Sequence, residues 1–206
     1  MQIDTVVFDI GNVLIAWQPE RYFDAVIGPD RRAAMFREVD LFAMMDRIDA
    51  GAHFGQTVED TAQAHPAWTA EIRHFRDHWT QIAQPEIPHS VRLLKALRAR
   101  GTPVFALSNF GVQNFPQSAA QFPFLDLFDR RYISAEMQLI KPDPAIFAAV
   151  EADCGIAPER MLFTDDRADN IAAAAARGWR THLFDSPAGF AQCLIHAGLL
   201  TEKEAQ

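Results

Sequence analysis

Short apolar runs alternate with amphipathic segments along most of the chain, and three of the runs end in polar residues. The first run is Val6-Val7-Phe8, followed by Asp9. Its β-branched and aromatic residues leave no polar face, which predicts a central strand buried on both sides. Val104-Phe105-Ala106-Leu107 is a second run and leads into Ser108-Asn109. Residues 131–134 read as a short third strand. Met161-Leu162-Phe163-Thr164 is a fourth, leading into Asp165-Asp166, and 180–184 is a fifth. Helical patterns fill the gaps. Val91, Leu93, Leu94 and Leu97 share one stripe that stops near Gly101. Further helices are expected at 113–121, 145–154, an alanine-rich 168–177 and 187–199. Strand then helix, repeated, predicts an α/β fold with a doubly wound parallel sheet.

Residues 17–86 break this rhythm. Pro19-Glu20 opens a helix to Ile27, with proline in the first turn. Gly28-Pro29-Asp30 interrupts it, and 31–45 reads as helix again. Residues 46–51 are polar and end in Gly51, the look of a loop. Helices are expected at 56–65 and 69–82, separated by His65-Pro66, and no strand pattern occurs between Trp17 and Pro88. The chain therefore divides into an expected core, 1–16 with 87–206, and an all-helical insert, 17–86. The tail, 201–206, is expected to fray.

The 206 residues suit one α/β core with a sizeable insert, or two small domains. The chain is 49% hydrophobic and 22% charged, with a formal net charge of −8. That balance argues against a nucleic-acid or anionic-membrane surface, which needs clustered Lys and Arg. It leaves room for an anionic small substrate, because a local site can oppose the global sign. Cys154 and Cys193 lack metal spacing and read as free thiols in helices. The amino terminus shows no basic region followed by a long apolar run, and no stretch spans a membrane. A cytoplasmic location is the expectation.

In an open parallel sheet, ligands sit at the carboxyl ends of the strands. Asp9, Ser108-Asn109 and Asp165-Asp166 all fall there, and Lys141 lies in the loop after the third strand. Taken singly, each has a plain reading: a turn at Asp9-Ile10-Gly11-Asn12, helix caps at Ser108-Asn109 and Asp165-Asp166, a solvated charge at Lys141. Together they fit one job. Asp9 and Asp166 would repel each other unless a cation sat between them. Oxygen ligands point to a hard ion, and Mg2+ is the usual choice beside a phosphate. Asp165 would serve nearby or through water. Lys141, the Ser108 hydroxyl and backbone N–H groups near Asn109 would meet the phosphoryl oxygens, and Gly11 frees the backbone to turn. With charge balanced in this way, Asp9 can attack phosphorus and form an aspartyl-phosphate.

The order F-D-x-G-N-V, L-S-N, K-P-D-P-x-I-F and F-T-D-D-x-x-x-N resembles the haloacid dehalogenase (HAD) superfamily, with the insert matching that superfamily's helical cap. The resemblance spans the whole chain and lies nearest to small bacterial glucose-1-phosphate phosphatases. The phosphatase domain of soluble epoxide hydrolases is similar too. It implies that Asp9 is the nucleophile, that Ser108 and Lys141 bind phosphate with Gly11, Asn12 and Asn109 around them, and that Asp9, Asp166 and the Gly11 carbonyl hold Mg2+, with Asp165 beside them. The implied partner is a small phosphorylated metabolite.

One departure matters. Phosphatases of this superfamily usually carry a second Asp two residues after the nucleophile, as general acid and base, and this chain has Gly11 there. Such proton transfer is worth roughly 10²–10⁴ in rate. Three readings follow: a phosphatase whose substrate leaves well or whose acid comes from elsewhere, for which an anomeric sugar phosphate fits; a metal-independent 2-haloacid dehalogenase, against which Asp165-Asp166 argues; and a non-catalytic module that binds a phosphorylated ligand, against which the complete residue set argues. Specificity is expected from 46–54 and from residues near Trp17. There Asp46, Arg47 and Asp49 read as solvated or paired, and Trp17, Trp68 and Trp79 as packing. His53 is a conceivable substitute acid, and the i, i+4 pair His74 and His78 reads as coincidence rather than a zinc site.

Overall fold

The computed structural model describes residues 2–206. Among these, the strands are β1 (Thr5–Phe8), β2 (Ile15–Trp17), β3 (Ala83–Glu86), β4 (Val104–Ser108), β5 (Arg130–Ile133), β6 (Met161–Asp165) and β7 (Arg180–Leu183). Between β2 and β3 run the helices α1 (Pro19–Ile27), α2 (Pro29–Glu38), α3 (Leu41–Asp49), α4 (Phe54–Ala64), α5 (Thr69–Asp77) and α6 (Trp79–Ile82). After β3 come α7 (Pro88–Ala99), α8 (Phe115–Gln121), α9 (Ser134–Met137), α10 (Pro144–Cys154), α11 (Ala168–Ala176) and α12 (Pro187–His196).

The main sheet has the order β5-β4-β1-β6-β7 and every pairing in it is parallel. The all-apolar run does what its composition requires: β1 is central and buried throughout. Alternation along the strands sends side chains to two layers. Val6, Phe8, Val104, Ala106 and Leu162 join the apolar residues of α7 and α12, such as Leu94 and Phe190. Val7, Phe105, Leu107 and Phe163 face Ile146, Phe147 and Val150 of α10. The edge strands carry the polar residues, with Arg130 and Arg131 of β5 exposed. Side chains set the starts of helices here: Asp143 caps α10 by accepting from the Ala145 N–H at 2.8 Å, and Ser186 caps α12 by accepting from the Gly189 N–H at 3.0 Å.

The structure departs from the sequence reading in four places. The expected helix 31–45 breaks at Val39-Asp40, where the Asp40 side chain accepts from the Ala43 N–H and starts α3. The polar stretch expected as a loop is consequently helical to Asp49, because Met44, Met45 and Ile48 give it a buried stripe that its charges obscure. Ala83–Glu86 is a strand, not part of a helix, and pairs antiparallel with β2 through Trp17 opposite Ala83 and Ile15 opposite Glu86. Glu and Pro hid it, since three of its four residues are exposed. The tail does not fray. Ala205 is buried, its carbonyl lies 2.8 Å from His89 Nε2, and Arg100 pairs with Glu204 at 2.9 Å. No described helix is long and apolar enough to cross a membrane.

Phe147 is fully buried between the rings of Phe163 and Trp179, at centroid distances of 5.8 and 5.5 Å. Phe147→Ala is expected to cost about 3–5 kcal/mol, read as a lower urea midpoint.

Candidate active site

Four elements deliver the expected residues to one sheet edge. Asp9 follows β1, Ser108 ends β4, Asp165 ends β6 with Asp166 next, and Lys141 comes from the loop before α10. Asp9 is buried and its backbone N–H donates to the Thr164 carbonyl at 2.9 Å. Its Oδ1 accepts from the Ile10 N–H at 2.7 Å and the Ser108 hydroxyl at 2.7 Å, and lies 3.0 Å from Lys141 Nζ. Among the described residues all of the Asp9 side-chain hydrogen bonds fall on Oδ1, so Oδ2 is left without a protein donor. Burial pushes the Asp9 carboxyl up to about 7, with Lys141 pulling it down and Asp165 adding to the rise.

Lys141 is itself buried and holds the site together. Its Nζ donates to Asp165 Oδ2 at 2.6 Å and to the Leu107 carbonyl at 2.9 Å. Burial pulls the ammonium's pKa down, but Asp9 and Asp165 outweigh it and hold the group above its ordinary value. Asn109 fixes the lysine backbone: its Oδ1 accepts from the Lys141 N–H at 2.9 Å and its Nδ2 donates to the Lys141 carbonyl at 3.0 Å. The Asp165 carboxylate is fully engaged, since it also accepts from the Arg167 N–H at 2.8 Å and from Asn170 Nδ2 at 3.0 Å on both oxygens. Asn170, the last residue of the F-T-D-D-x-x-x-N motif, is a site residue whose role shows only in these contacts.

Asp166 is the more open of the pair. Its Oδ2 accepts from Asn12 Nδ2 at 3.0 Å, and Asn12 Oδ1 accepts from the Trp17 N–H at 2.9 Å. Asn12 has φ 53°, a left-handed conformation that Asn tolerates better than most residues. Burial raises the Asp166 carboxyl, and the Asn12 bond lowers it in part. A Cβ built on Gly11 would meet only Trp17 Cβ, at 3.9 Å, an ordinary contact. One oxygen each of Asp9, Asp165 and Asp166 lie within 4.8 Å of one another. Three carboxylates against one ammonium is a hard-oxygen set that fits a divalent cation such as Mg2+.

These residues floor a cavity of about 170 Å³. Its wall includes Trp17, Phe42, Met45, Asp46, Asp49, Trp79, Phe110 and Arg167. The sequence expectation for the tryptophans divides here. Trp68 packs and donates to Glu38 at 2.8 Å, whereas Trp17 and Trp79 pack on each other at 5.0 Å and also face the cavity. His53 caps α4 instead of lining the cavity. His74 and His78 stack on each other at 3.7 Å, with His74 Nε2 3.0 Å from the Tyr22 hydroxyl. Asp49 is neither solvated nor paired: it is 9% exposed and its Oδ1 is buried without a hydrogen-bond partner. Burial, with repulsion from Asp46 and Asp9, pushes its carboxyl up to about 7. Only its place on a helix, hidden in the sequence, could have flagged it.

A family model described as haloacid dehalogenase-like hydrolase matches residues 3–178. A phosphoglycolate phosphatase of Shigella boydii serotype 4 is 31% identical over 112 residues, which is 50% of this chain and 42% of that protein. A sesquiterpene phosphatase of Aspergillus oryzae is 32% identical over 95 residues, 46% of this chain and 48% of that protein. The chain thus spans less than half the length of these curated relatives. A HAD family enzyme of Bacteroides thetaiotaomicron, solved in complex with magnesium and inorganic phosphate, superimposes with a TM-score of 0.67 at 25% identity, over 87% of this chain and 93% of that one.

The Asp49 carboxyl gives a stability prediction. It ionises near 4 in the unfolded chain and near 7 when folded, so the folded state holds the extra proton between those values. Stability it contributes below the unfolded value is lost as pH rises through the folded one. Asp49→Asn should therefore gain on the wild type by a few kcal/mol between about pH 4 and about pH 7, measured by thermal melts of metal-free protein.

Proposed function

Because the chain belongs to the haloacid dehalogenase-like hydrolases, we propose that it is a Mg2+-dependent phosphomonoester hydrolase working through an aspartyl-phosphate at Asp9. The observation that carries this reading is the division of labour within the Asp9 carboxylate. Oδ1 is held by Ser108, Lys141 and the Ile10 N–H, while Oδ2 is left to the cavity. A carboxylate fixed in this way is oriented before substrate arrives, which removes orientational entropy from the attack. Ser108 and Lys141 stand beside it, and each would turn the hydrogen bond it now gives Asp9 toward the phosphoryl oxygens when substrate enters. Asp165 acts through Lys141, whose position it fixes, and Asn109 clamps the lysine backbone. Asp9 and Asp166, with the Gly11 carbonyl, would hold Mg2+, and Asn12 orients Asp166. Bound there, the ion supplies the positive charge that lets a dianionic phosphoryl group approach a carboxylate.

Asp9 forms the bond to phosphorus as the ester oxygen leaves. Water then hydrolyses the aspartyl-phosphate, releasing inorganic phosphate and restoring Asp9. Residues 17–86 serve as the cap over a core of 1–16 and 87–206, so α3 and the tryptophans select the substrate. The substrate is a small phosphorylated metabolite. A sugar 1-phosphate is favoured within that class: the half-buried Trp17, backed by Trp79, gives the cavity an aromatic wall, Asp46 offers a hydroxyl acceptor, and a hemiacetal oxygen leaves more readily than an alkoxide. Halide displacement needs no cation and would leave the cluster of Asp9, Asp165 and Asp166 with more negative charge than its chemistry uses.

Phosphate release from a panel of sugar 1-phosphates, sugar 6-phosphates and an aryl phosphate tests the reading. Release is expected with Mg2+, not with EDTA, and faster from 1-phosphates than from 6-phosphates. Asp9→Asn should fall to background on every ester while melting as a folded protein. Turnover retained by clean Asp9→Asn protein would remove Asp9 as nucleophile. Release undiminished by EDTA would remove the metal.

A further inference from the structure

A buried carboxyl with an unpartnered oxygen is costly, and such a group in a functional cavity calls for a reason. Asp49 is that group. It is the last residue of α3, and its side chain lines the same cavity as Asp9, Ser108 and Lys141. Its place is fixed from the other side of the chain. The Ser134 hydroxyl donates to the Asp49 carbonyl at 2.6 Å, and the same Ser134 oxygen accepts from the Phe110 N–H at 2.9 Å. Phe110 follows Ser108-Asn109, so one hydroxyl ties the end of α3 to the loop that carries the phosphate donors. Ile48, beside Asp49, is fully buried. The backbone that carries Asp49 at the cavity is therefore held firmly in place.

Gly11 stands where a proton donor is needed and can donate none. We propose that Asp49 is the general acid and base of the reaction, supplying from α3 the proton that position 11 lacks. This rests on the phosphatase reading above. In the first step the bond between Asp9 and phosphorus forms, the bond from phosphorus to the ester oxygen breaks, and that oxygen takes the Asp49 proton and leaves as an alcohol. In the second step water attacks the aspartyl-phosphate, Asp49 accepts a proton from it, and inorganic phosphate, Asp9 and protonated Asp49 are regenerated. The charged groups around Asp49 suit this cycle. Asp46 on its own helix and Asp9 across the cavity favour its protonated form, and Lys141 opposes them. Asp166 and Arg167 complete the charged lining. A carboxyl that ionises near 7 exchanges a proton in either direction at neutral pH.

The test is leaving-group dependence of the Mg2+-loaded full chain. Wild type and Asp49→Asn are assayed on phosphomonoesters running from dinitrophenyl phosphate, whose phenolate needs no proton, to alkyl and sugar phosphates. Asp49→Asn is expected to lower kcat by roughly 10²–10⁴ on alkyl and sugar esters and by less than about tenfold on the dinitrophenyl ester. Wild-type kcat/KM on alkyl esters should fall as pH rises past the acid's ionisation, and the variant should lose that limb. Wild type alone gives a second reading: its rates should depend on leaving group weakly at about pH 6 and steeply at about pH 9. An equal loss on every ester, or a wild-type leaving-group slope independent of pH, overturns the proposal and leaves the phosphatase reading standing. A wild type that releases phosphate from no ester overturns both.

Discussion

The site depends on one buried ammonium. Lys141 Nζ reaches Asp9 at 3.0 Å, Asp165 at 2.6 Å and the Leu107 carbonyl at 2.9 Å, so it binds the ends of three adjacent strands, β4, β1 and β6. The acidic residues at those ends could not sit together without it. Removing the lysine would leave two buried carboxylates facing each other, a loss on the scale of breaking a buried ion pair, about 3–5 kcal/mol. Much of the surrounding polar network serves to keep this ammonium in place. Asn109 clamps its backbone, and Asn170 with the Arg167 N–H holds Asp165 toward it.

The ammonium does not balance the site. Asp9, Asp165 and Asp166 carry more negative charge than Lys141 can offset, and the Asp9 and Asp166 carboxyls are raised as a result of burial with too little compensation. A site in this condition gains from any divalent cation that enters it, and from nothing that brings more negative charge alone. On the phosphatase reading proposed above, a phosphate dianion would therefore enter together with a divalent cation. Asp49 is raised chiefly by its own burial at the end of α3, with Asp46 and Asp9 adding to the rise.

The legible part of the sequence was the part in which composition and periodicity agree. Val6-Val7-Phe8, Val104 to Leu107 and Met161 to Thr164 could only be buried strands, and the polar residues after them marked the sheet edge where Asp9, Ser108 and Asp165 meet. Three kinds of feature escaped. Charged residues masked the buried stripe of α3, so Asp46 and Asp49 read as loop. Ala83–Glu86 has the composition of a turn and is a strand only because β2 offers a partner. The tail is ordered by long-range bonds to His89, Arg92 and Arg100, which no local pattern encodes. Asp49 escaped for a further reason: its significance is an absence of partners, and sequence carries no record of that.

Asn12 sets a dimension. One amide group spans from Asp166 on the cavity floor to the Trp17 backbone on its wall, with its donor end on one and its acceptor end on the other. The Asp166 carboxylate and the Trp17 backbone are thus held one amide group apart. Asp in that place would match the length but set a carboxylate against Asp166. Gln would keep the chemistry and overshoot the span. Leu would keep the bulk and leave both partners unsatisfied. Because the backbone there is also left-handed, the position screens candidates three times over: for shape, for polarity and for chain conformation. A position filtered by independent demands admits few solutions, and the setting of Asp166 inherits that narrowness.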